Sequence, residues 1–363
     1  MDDDRSRYPL RLVAWEVTRR CPLSCRHCRA SAGDRGREGE LSTAEARRLL
    51  EGVAAFASPI VILTGGEPMA REDIFDIARY GSGLGLRMVM APCGLLMDRE
   101  ATRRIIASGI RRISLSIDGE DRETHDAFRR THGAFDAVLE AARLAREEGL
   151  EFQVNTTVTR LNAGRLGPIF ELAVSLGAAG WHPFFFVPTG RGAGEAGLAV
   201  DPGEQERVLT WIAEQSHRSP IQIKPTCAPS YHRILRLRVR WAGGVESGEP
   251  HAVAGGCLGG RSFAFISHTG TVQACGFLPL EAGNLRGSGF DLRGIWEQAE
   301  LFTGLRDLSR YQGACGRCAY LRVCGGCRAR AYAATGDHLA EDPSCRYRPR
   351  AAGRGAVKDA RHG

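Results

Sequence analysis

The sequence lacks an apolar run long enough to cross a membrane, and its first residues, Met1 to Arg5, contain no apolar signal-peptide core. It also lacks a basic block with interleaved aromatic residues, the pattern typical of nucleic-acid binding. We therefore expect a cytoplasmic protein without a membrane or nucleic-acid partner. Its formal net charge of +7 is modest and is compatible with an anionic small substrate. The 363 residues, 43% of them hydrophobic, suffice for one large domain and a smaller one.

Cysteine, in contrast, is abundant, with twelve in the chain. Thiols stay reduced in the cytoplasm, so this number indicates metal or cluster ligation rather than disulfides. Three of the cysteines, Cys21, Cys25 and Cys28, lie within eight residues, directly after the apolar run over 10–17. Clustered thiolates select iron–sulfur clusters or zinc, and a structural zinc site needs four protein ligands. Since the loop supplies three, we expect a [4Fe–4S] cluster with one open iron; a zinc knuckle completed by His27 or a distant cysteine is the alternative.

Short apolar runs alternate with amphipathic segments from residue 10 to residue 187. The predicted strands cover 10–17, 60–63, 86–90, 113–117, 152–158 and 181–187, and the predicted helices cover 42–56, 72–81, 99–108, 135–148 and 166–176. Ser42 and Glu45 predict a capping box at the start of the first helix. The alternation implies parallel strands with right-handed crossovers, in either an open sheet or a partial barrel. Functional residues in such folds gather at the carboxyl ends of the strands.

Polar or glycine-rich turns follow several of these strands. The second strand ends in Thr64-Gly65-Gly66-Glu67-Pro68. The two glycines permit a close approach of the backbone to a ligand, and Glu67 has the charge to bind an ammonium group. Ser116 and Asp118 follow the fourth strand and Asn155 lies in the fifth; for Asp118 we prefer a role in capping the turn.

The Cys-x3-Cys-x2-Cys spacing, with the ring of His27 before the third cysteine, and the Gly-Gly-Glu-Pro turn together resemble the radical S-adenosylmethionine (AdoMet) superfamily. The resemblance implies a partial (βα)6, TIM-like barrel of the α/β class, in which the open iron of the cluster binds AdoMet. It also implies AdoMet contacts from the following residues: Gly65, Gly66, Glu67, Pro68, Ser116 and Asn155. Arg191, after the sixth strand, is a candidate contact to the cofactor or to an anionic substrate group. After the third strand, where the superfamily usually has Thr-Asn-Gly, this chain has Ala91-Pro92-Cys93-Gly94, and we expect Cys93 to be a buried thiol rather than a ligand.

Most of the remaining cysteines lie in the C-terminal part of the chain: Cys257, Cys275, Cys315, Cys318, Cys324, Cys327 and Cys345. Two Cys-x2-Cys pairs are compatible with zinc, but their order resembles the SPASM domain of radical AdoMet enzymes, with a shorter spacer in the last pair. The resemblance implies one or two auxiliary [4Fe–4S] clusters. Cys315, Cys318, Cys324 and Cys345 would hold one of them. Cys257, Cys275 and Cys327 would hold the other, with Cys227 or His251 as the fourth ligand or with an iron open to substrate.

These features divide the chain into five segments. They are an N-terminal arm (1–9), a radical AdoMet core (10–191), a linker and helical segment (192–254), a small cysteine-rich SPASM-like domain (255–347) and a basic tail (348–363).

Longer stretches over 12–20, 76–81, 187–192, 226–229 and 324–336 resemble the family of iron-coproporphyrin III decarboxylases that make heme b. The resemblance implies that a 5′-deoxyadenosyl radical removes a hydrogen from a propionate β-carbon. Loss of CO2 and transfer of one electron to an auxiliary cluster then leave a vinyl group, at two propionates in turn. An external donor such as ferredoxin or flavodoxin would supply electrons. The alternatives are a related tetrapyrrole enzyme of the siroheme or heme d1 pathways, a SPASM peptide maturase, and a zinc-binding interaction module without activity.

Arginines recur at helical spacing at positions 233, 236 and 240. A solvated basic face is one interpretation of this pattern. The alternative is a substrate site in which Arg233 and Arg236 clamp propionates, because guanidinium groups bind carboxylates with two hydrogen bonds. Tyr231 and His232 are then candidates to contact the macrocycle or its iron.

Overall fold

The computed structural model describes residues 8–35, 38–241 and 255–349. Six parallel strands form its first half and pair in chain order. They are β1 (Leu12–Glu16), β2 (Ile60–Thr64), β3 (Arg87–Met90), β4 (Arg112–Ser116), β5 (Glu151–Val158) and β6 (Gly180–Phe185). Each lies within two residues of its predicted bounds, because buried apolar runs between turns mark parallel strands clearly.

Helices connect these strands: α1 (Thr43–Ala54), α2 (Ile74–Gly83), α3 (Arg99–Ala107), α4 (Arg122–Arg129), α5 (Ala134–Glu147) and α6 (Leu166–Ser175). The predicted capping box is confirmed, since the Ser42 side chain accepts from the Glu45 amide and the Glu45 side chain accepts from the Ser42 amide. Helix α4 was not predicted. Its eight residues are mostly polar, and only His125, Phe128 and Arg129 are buried. The sequence therefore has no apolar stripe from which this helix could be predicted.

The two faces of the sheet differ along β5 and β6. Phe152, Val154 and Val158 are buried, whereas the alternate residues 153, 155 and 157 are only partly buried. On β6, Trp181 is buried and His182 is partly buried. Side chains alternate between faces along a strand, so one face packs on the helices and the other carries polar groups.

The second half extends the same sheet at both edges. The short strand β7 (Gln222–Ile223) pairs in parallel with β6. At the other edge β8 (Phe263–Ile266) pairs in parallel with β1, followed by the antiparallel strands β9 (Thr271–Cys275) and β10 (Leu278–Asn284). The sheet has ten strands in the order β10-β9-β8-β1-β2-β3-β4-β5-β6-β7.

The remaining helices are α7 (Pro202–Ser216), α8 (Ser230–Trp241), α9 (Leu292–Gln298), α10 (Glu300–Arg306), α11 (Gly313–Gly316) and α12 (Arg328–Thr335). Within the described ranges, no helix has the length and apolarity that crossing a bilayer requires.

Candidate active site

The loop after β1 carries Cys21, Cys25 and Cys28 and is held by hydrogen bonds to its backbone. Arg191 Nη1 donates to the Cys25 carbonyl oxygen (2.8 Å), its Nη2 donates to Ala32 O, and its amide donates to Cys28 O (2.9 Å). Arg191 therefore holds the loop in place. Its position after a strand had indicated only a possible contact to the cofactor or to the substrate. Gly190, with φ +57°, is required beside it because a Cβ there would lie 2.0 Å from the Arg29 carbonyl oxygen.

The Gly65-Gly66 turn packs directly against this loop. The Gly66 amide donates to Thr18 O (2.7 Å) and the Glu67 amide donates to Arg20 O (2.7 Å). A Cβ at Gly66 would lie 2.3 Å from the Arg20 carbonyl oxygen. We expected the two glycines to let the backbone approach a ligand closely. In the structure, they let it approach the backbone of the cysteine loop.

Glu67 is buried and joins the ends of β2 and β3. Its Oε1 accepts from the Met69 amide (2.9 Å) and its Oε2 accepts from the Cys93 amide (2.5 Å). Burial raises the pKa of Glu67, and these backbone bonds oppose that shift. Cys93 is partly buried and packs beside the loop cysteines, and burial also raises the pKa of its thiol.

The three loop sulfurs each accept a hydrogen bond. Cys21 Sγ accepts from the Leu23 amide and Cys28 Sγ from the Ala32 amide, both at 3.4 Å. Cys25 Sγ lies 3.8 Å from Arg129 Nη1. Burial raises the pKa of Cys21 to about 12, so its thiolate needs these donors or a metal to be stable. Three clustered thiols with donors aimed at sulfur fit a cluster held by three cysteines.

Arg129 belongs to a buried ionic pair that the sequence analysis missed together with α4. Its Nε donates to Asp118 Oδ2 (2.7 Å), and Asp118 Oδ1 accepts from the Thr157 amide (2.6 Å). Burial opposes ionisation of Asp118, but the charge of Arg129 and the other favourable interactions, including the hydrogen bond from the Thr157 amide, together outweigh it and lower the pKa of Asp118. Asp118 therefore does more than cap a turn: it holds a cation against Cys25.

His27 is stacked on Phe128, with ring centroids 4.4 Å apart and planes inclined by 7°. Burial lowers the pKa of His27 to about 4, so the ring is neutral at physiological pH. Its Nδ1 is buried and has no hydrogen-bond partner among the described residues.

A polar group lies on the partly exposed face of β4, β5 and β6. Ser116 and Asn155 are register neighbours. Gln153 Nε2 contacts Asn155 Oδ1 and His182 Nδ1, each at 3.0 Å. Burial, and next the charge of Lys224, lower the pKa of His182 to about 3. The sequence analysis did not predict site roles for Gln153, His182 and Lys224. The polar residues at alternate positions of β5 were the sequence feature that could have indicated this group.

Four of the predicted cluster ligands line one cavity: Cys315, Cys318, Cys324 and Cys345. We call this set the outer cysteine site. Cys315 Sγ accepts from the Asp342 amide (3.4 Å) and lies 3.7 Å from Arg328 Nη2, and Cys318 Sγ accepts from the Tyr320 amide (3.4 Å).

A second group of cysteines comprises Cys227, Cys257, Cys275 and Cys327, which we call the inner cysteine site. Burial raises the pKa of Cys227 well above its ordinary value, and the neighbouring thiols of Cys327, Cys275 and Cys257 raise it further. The two sites adjoin, since the Cys257 amide donates to the Cys324 carbonyl oxygen (3.2 Å). His251, the other candidate fourth ligand, lies outside the described residues.

The four substrate candidates on α8 do not converge. Arg233 is 2% exposed, pairs with Glu206 and lines the outer cysteine site, so it is not part of a solvated face. Arg236, in contrast, is exposed, and the side chain at position 240 lies outside the described residues. The Tyr231 hydroxyl contacts Ser216 Oγ (3.1 Å). His232 is partly buried, which lowers its pKa.

In the part of the chain that the structure describes, no three His, Cys, Asp or Glu side chains have the close spacing of a single-ion metal site.

The model of the radical SAM superfamily matches residues 15–172. The fold is similar to that of Streptococcus suis SuiB bound to S-adenosylmethionine, with a TM-score of 0.72 at 17% identity, covering 94% of this chain and 78% of that one. These findings confirm the predicted α/β fold with a SPASM-type second part. The chain belongs to the radical SAM superfamily, and it is therefore an enzyme that uses a [4Fe–4S] cluster and AdoMet.

Within the superfamily, the chain is 48% identical over 342 residues to the AdoMet-dependent heme synthase of Methanosarcina barkeri, covering 93% of this chain and 97% of that protein. It is 31% identical over 350 residues to the Fe-coproporphyrin III synthase of the same organism, covering 92% of this chain and 87% of that protein.

Proposed function

We propose that this enzyme converts two propionate side chains of iron-coproporphyrin III to vinyl groups and so forms heme b. The observation that carries the proposal is the 48% identity to a heme synthase over nearly the full length of both chains. Identity falls to 31% for a relative named for a different tetrapyrrole product. This difference favours the heme synthase reaction over the acetate-removing reactions of related enzymes.

The residues around the loop fit the cluster and AdoMet that the superfamily uses. Cys21, Cys25 and Cys28 would hold the cluster, which together with AdoMet supplies hydrogen-abstracting radical chemistry. The proposed AdoMet contacts are Gly65, Gly66, Glu67, Pro68, Ser116 and Asn155. Arg129 places a buried positive charge at Cys25, where it would balance the negative charge of a thiolate-bound cluster.

The outer and inner cysteine sites would hold auxiliary clusters that accept the electron released from the substrate. Around them the chain supplies cations: Arg328 lies at Cys315, and Arg233 lines the same cavity. Since the Arg233 guanidinium is already paired with Glu206, we propose that it serves the outer cysteine site rather than a substrate propionate.

Lys224 is the better candidate for a propionate. The residue is exposed overall, although partial burial of its ammonium group lowers the pKa of Lys224, and its charge acts on both His182 and His232. An ammonium group there would attract the carboxylates of an anionic porphyrin. His232, which burial keeps neutral, is available to bind the porphyrin iron, whereas the Tyr231 hydroxyl already contacts Ser216.

The test is anaerobic. The reconstituted protein is supplied with AdoMet, dithionite and iron-coproporphyrin III, and the products are followed by mass spectrometry. We expect two successive losses of CO2 together with two hydrogens, accompanied by 5′-deoxyadenosine. Formation of 5′-deoxyadenosine without a change in the porphyrin would reject this substrate and direct the search to siroheme derivatives and to peptides.

The same assay identifies the electron source. Replacing dithionite by reduced ferredoxin or flavodoxin should sustain turnover, because we propose a small redox protein as the donor. Failure of both proteins, with dithionite still active, would exclude these two donor classes.

A further inference from the structure

Gln153 joins Asn155 to His182 on the partly exposed face of the sheet. Gln153 and Asn155 are alternate residues of β5 and therefore lie on the same face, and Asn155 and His182 are register neighbours on β5 and β6. The register neighbour of Gln153 on β6 is Gly180. A Cβ at Gly180 would lie 3.8 Å from His182 Nε2, so the absence of a side chain there leaves room for Gln153 to reach across to His182.

The two hydrogen bonds of Gln153 fix the orientation of its neighbours. Its Nε2 can only donate, and it lies 3.0 Å from both Asn155 Oδ1 and His182 Nδ1, so each of these atoms is an acceptor. The oxygen and the nitrogen of a carboxamide lie on opposite sides of the group. Because Oδ1 of Asn155 is bound by Gln153, Nδ2 is directed away from Gln153, and it has no hydrogen-bond partner among the described residues. Asn155 is therefore presented to a ligand as a donor.

His182 is suited to anchor Gln153. Its Nδ1 accepts a hydrogen bond only when it carries no proton, and burial, followed by the charge of Lys224, lowers the pKa of His182 to about 3 and keeps the ring neutral. The proton of the neutral ring is then on Nε2, which is buried and has no partner in the described part of the chain. A buried N–H without a partner costs free energy, and polar groups held at such a cost are typical of functional sites.

The direction of the Asn155 side chain agrees with the place of the proposed AdoMet site. Gln153 precedes Asn155 on β5, so it holds Oδ1 toward the amino end of the strand and leaves Nδ2 toward the carboxyl end, where functional residues of such folds gather. Ser116, another proposed AdoMet contact, is the register neighbour of Asn155 on β4. AdoMet offers acceptor oxygens in two places, the carboxylate of its methionine part and the hydroxyl groups of its ribose.

We propose that Gln153 is a positioning residue for AdoMet. It turns Asn155 so that Nδ2 donates to an acceptor oxygen of the cofactor, the carboxylate or a ribose hydroxyl, and His182 anchors Gln153 in this orientation. The inference rests on the AdoMet contact of Asn155 that is part of the proposed function, and it does not involve the porphyrin.

The test measures binding to the reconstituted, oxidised holoenzyme by anaerobic equilibrium dialysis. Three labelled ligands are compared: AdoMet, methionine, which carries the carboxylate, and 5′-methylthioadenosine, which carries the ribose. Gln153→Met keeps the length of the side chain and removes both hydrogen bonds, so it should raise the Kd for AdoMet about 3- to 10-fold, the effect of one hydrogen bond. The control is Gln222→Met, which changes an exposed glutamine on the other side of Gly180 and should leave all three Kd values unchanged.

The two smaller ligands identify the oxygen that Asn155 binds. If it is a ribose hydroxyl, Gln153→Met should weaken the binding of 5′-methylthioadenosine and leave that of methionine unchanged; if it is the carboxylate, the reverse should hold. His182→Phe, which removes the anchor, should weaken binding of the same ligand. Gln153→Glu has the size of glutamine but an ionised side chain that cannot donate, and it should give the same pattern if Gln153→Met does not fold.

A double-mutant cycle shows whether Gln153 acts through Asn155. In an Asn155→Ala background, Gln153→Met should cause no further loss of AdoMet affinity. Equal losses for methionine and 5′-methylthioadenosine, or losses that add in the double variant, would overturn the inference, because either result would mean a general loosening of the site. So would an unchanged Kd for AdoMet in Gln153→Met. Heme formation tests the proposed substrate separately, since no porphyrin enters these measurements.

Discussion

The loop site and the inner cysteine site bring cysteines together in opposite ways. The loop takes its three cysteines from eight consecutive residues. It is held by hydrogen bonds from Arg191 to its carbonyl oxygens and by those from the Gly65-Gly66 turn. The inner cysteine site collects Cys227, Cys257, Cys275 and Cys327 from four separate segments. A local site is present as soon as its loop is ordered, whereas a dispersed site exists only after the surrounding fold has formed.

The two sites share an electrostatic arrangement despite this difference. At the loop, Arg129 lies at Cys25 and is paired with Asp118 (2.5 Å). At the inner cysteine site, Arg330 lies near Cys227 and Cys327 and is paired with Asp342 (3.4 Å). A buried arginine held by a carboxylate thus accompanies the sulfurs in both places, as charge compensation for buried thiolates requires.

The largest expected effect distinguishes the loop site from the outer cysteine site by the reaction step that is lost when each is changed. Cys25→Ala should abolish formation of 5′-deoxyadenosine from AdoMet, because we propose that the loop holds the cluster that initiates the chemistry. Cys318→Ala should leave this formation measurable while heme formation is lost. Chromatography of 5′-deoxyadenosine and of porphyrins in the same assay measures both. Equal loss of both products in the two variants would contradict a division of labour between the sites.

Breaking the buried pair at the loop should have the largest effect on stability. Arg129→Ala leaves the carboxylate of Asp118 buried without a counterion, which should lower the free energy of unfolding by about 3–5 kcal/mol. Chemical denaturation of the cluster-free protein measures it. Arg143→Ala, which removes an exposed arginine paired within α5, is the control and should change stability far less, because solvent screens exposed ion pairs. Similar effects from both variants would show that the Asp118 pair is not effectively buried.

The junction between the two regions should be sensitive to acid. Burial alone would raise the pKa of Glu16, but the hydrogen bond with His268 and the charges of Arg29 and Arg19 lower it from 4.5 to about 2. The ionised form is therefore favoured by folding, and its contribution of about 3 kcal/mol is complete above the unfolded pKa and disappears as pH falls through the folded pKa.

Glu16→Gln measures this contribution directly. The difference in unfolding free energy between the original protein and the variant should be constant near neutral pH and should shrink between pH 4.5 and about 2. A difference that does not depend on pH over this interval would mean that Glu16 is not ionised in the folded protein.

The smallest expected effect concerns the substrate. Lys224→Ala should raise the KM for iron-coproporphyrin III several-fold with little change in kcat, since it removes attraction to a propionate without touching the cysteine sites. Arg236→Ala tests the other exposed candidate, and Lys224→Arg should restore most of the affinity. If Arg236→Ala has the larger effect on KM, the propionate contact belongs to α8.

Local patterns predicted much of this fold and of the loop site. The six core strands, the Ser42 capping box and the three loop cysteines all follow from short-range sequence features. The contacts of Arg191 and Arg233 could not be predicted in this way. Each arginine binds a group that is distant in sequence, a loop carbonyl for Arg191 and the Glu206 carboxylate for Arg233. Arg129 was missed since α4 has no apolar stripe, and the place of Cys227 depends on a contact with α12.

The pairing of β8 with β1 also has a consequence for folding during synthesis on the ribosome. Residues 12–15 of β1 pair with residues 263–266, so the first strand to leave the ribosome gains its second neighbour only after more than half of the protein has been synthesised. Until then one side of β1 is an unpaired strand edge, the kind of surface on which nascent chains associate. A product that stops before residue 263 keeps this edge permanently, and we expect it to aggregate even though it contains the complete cysteine loop.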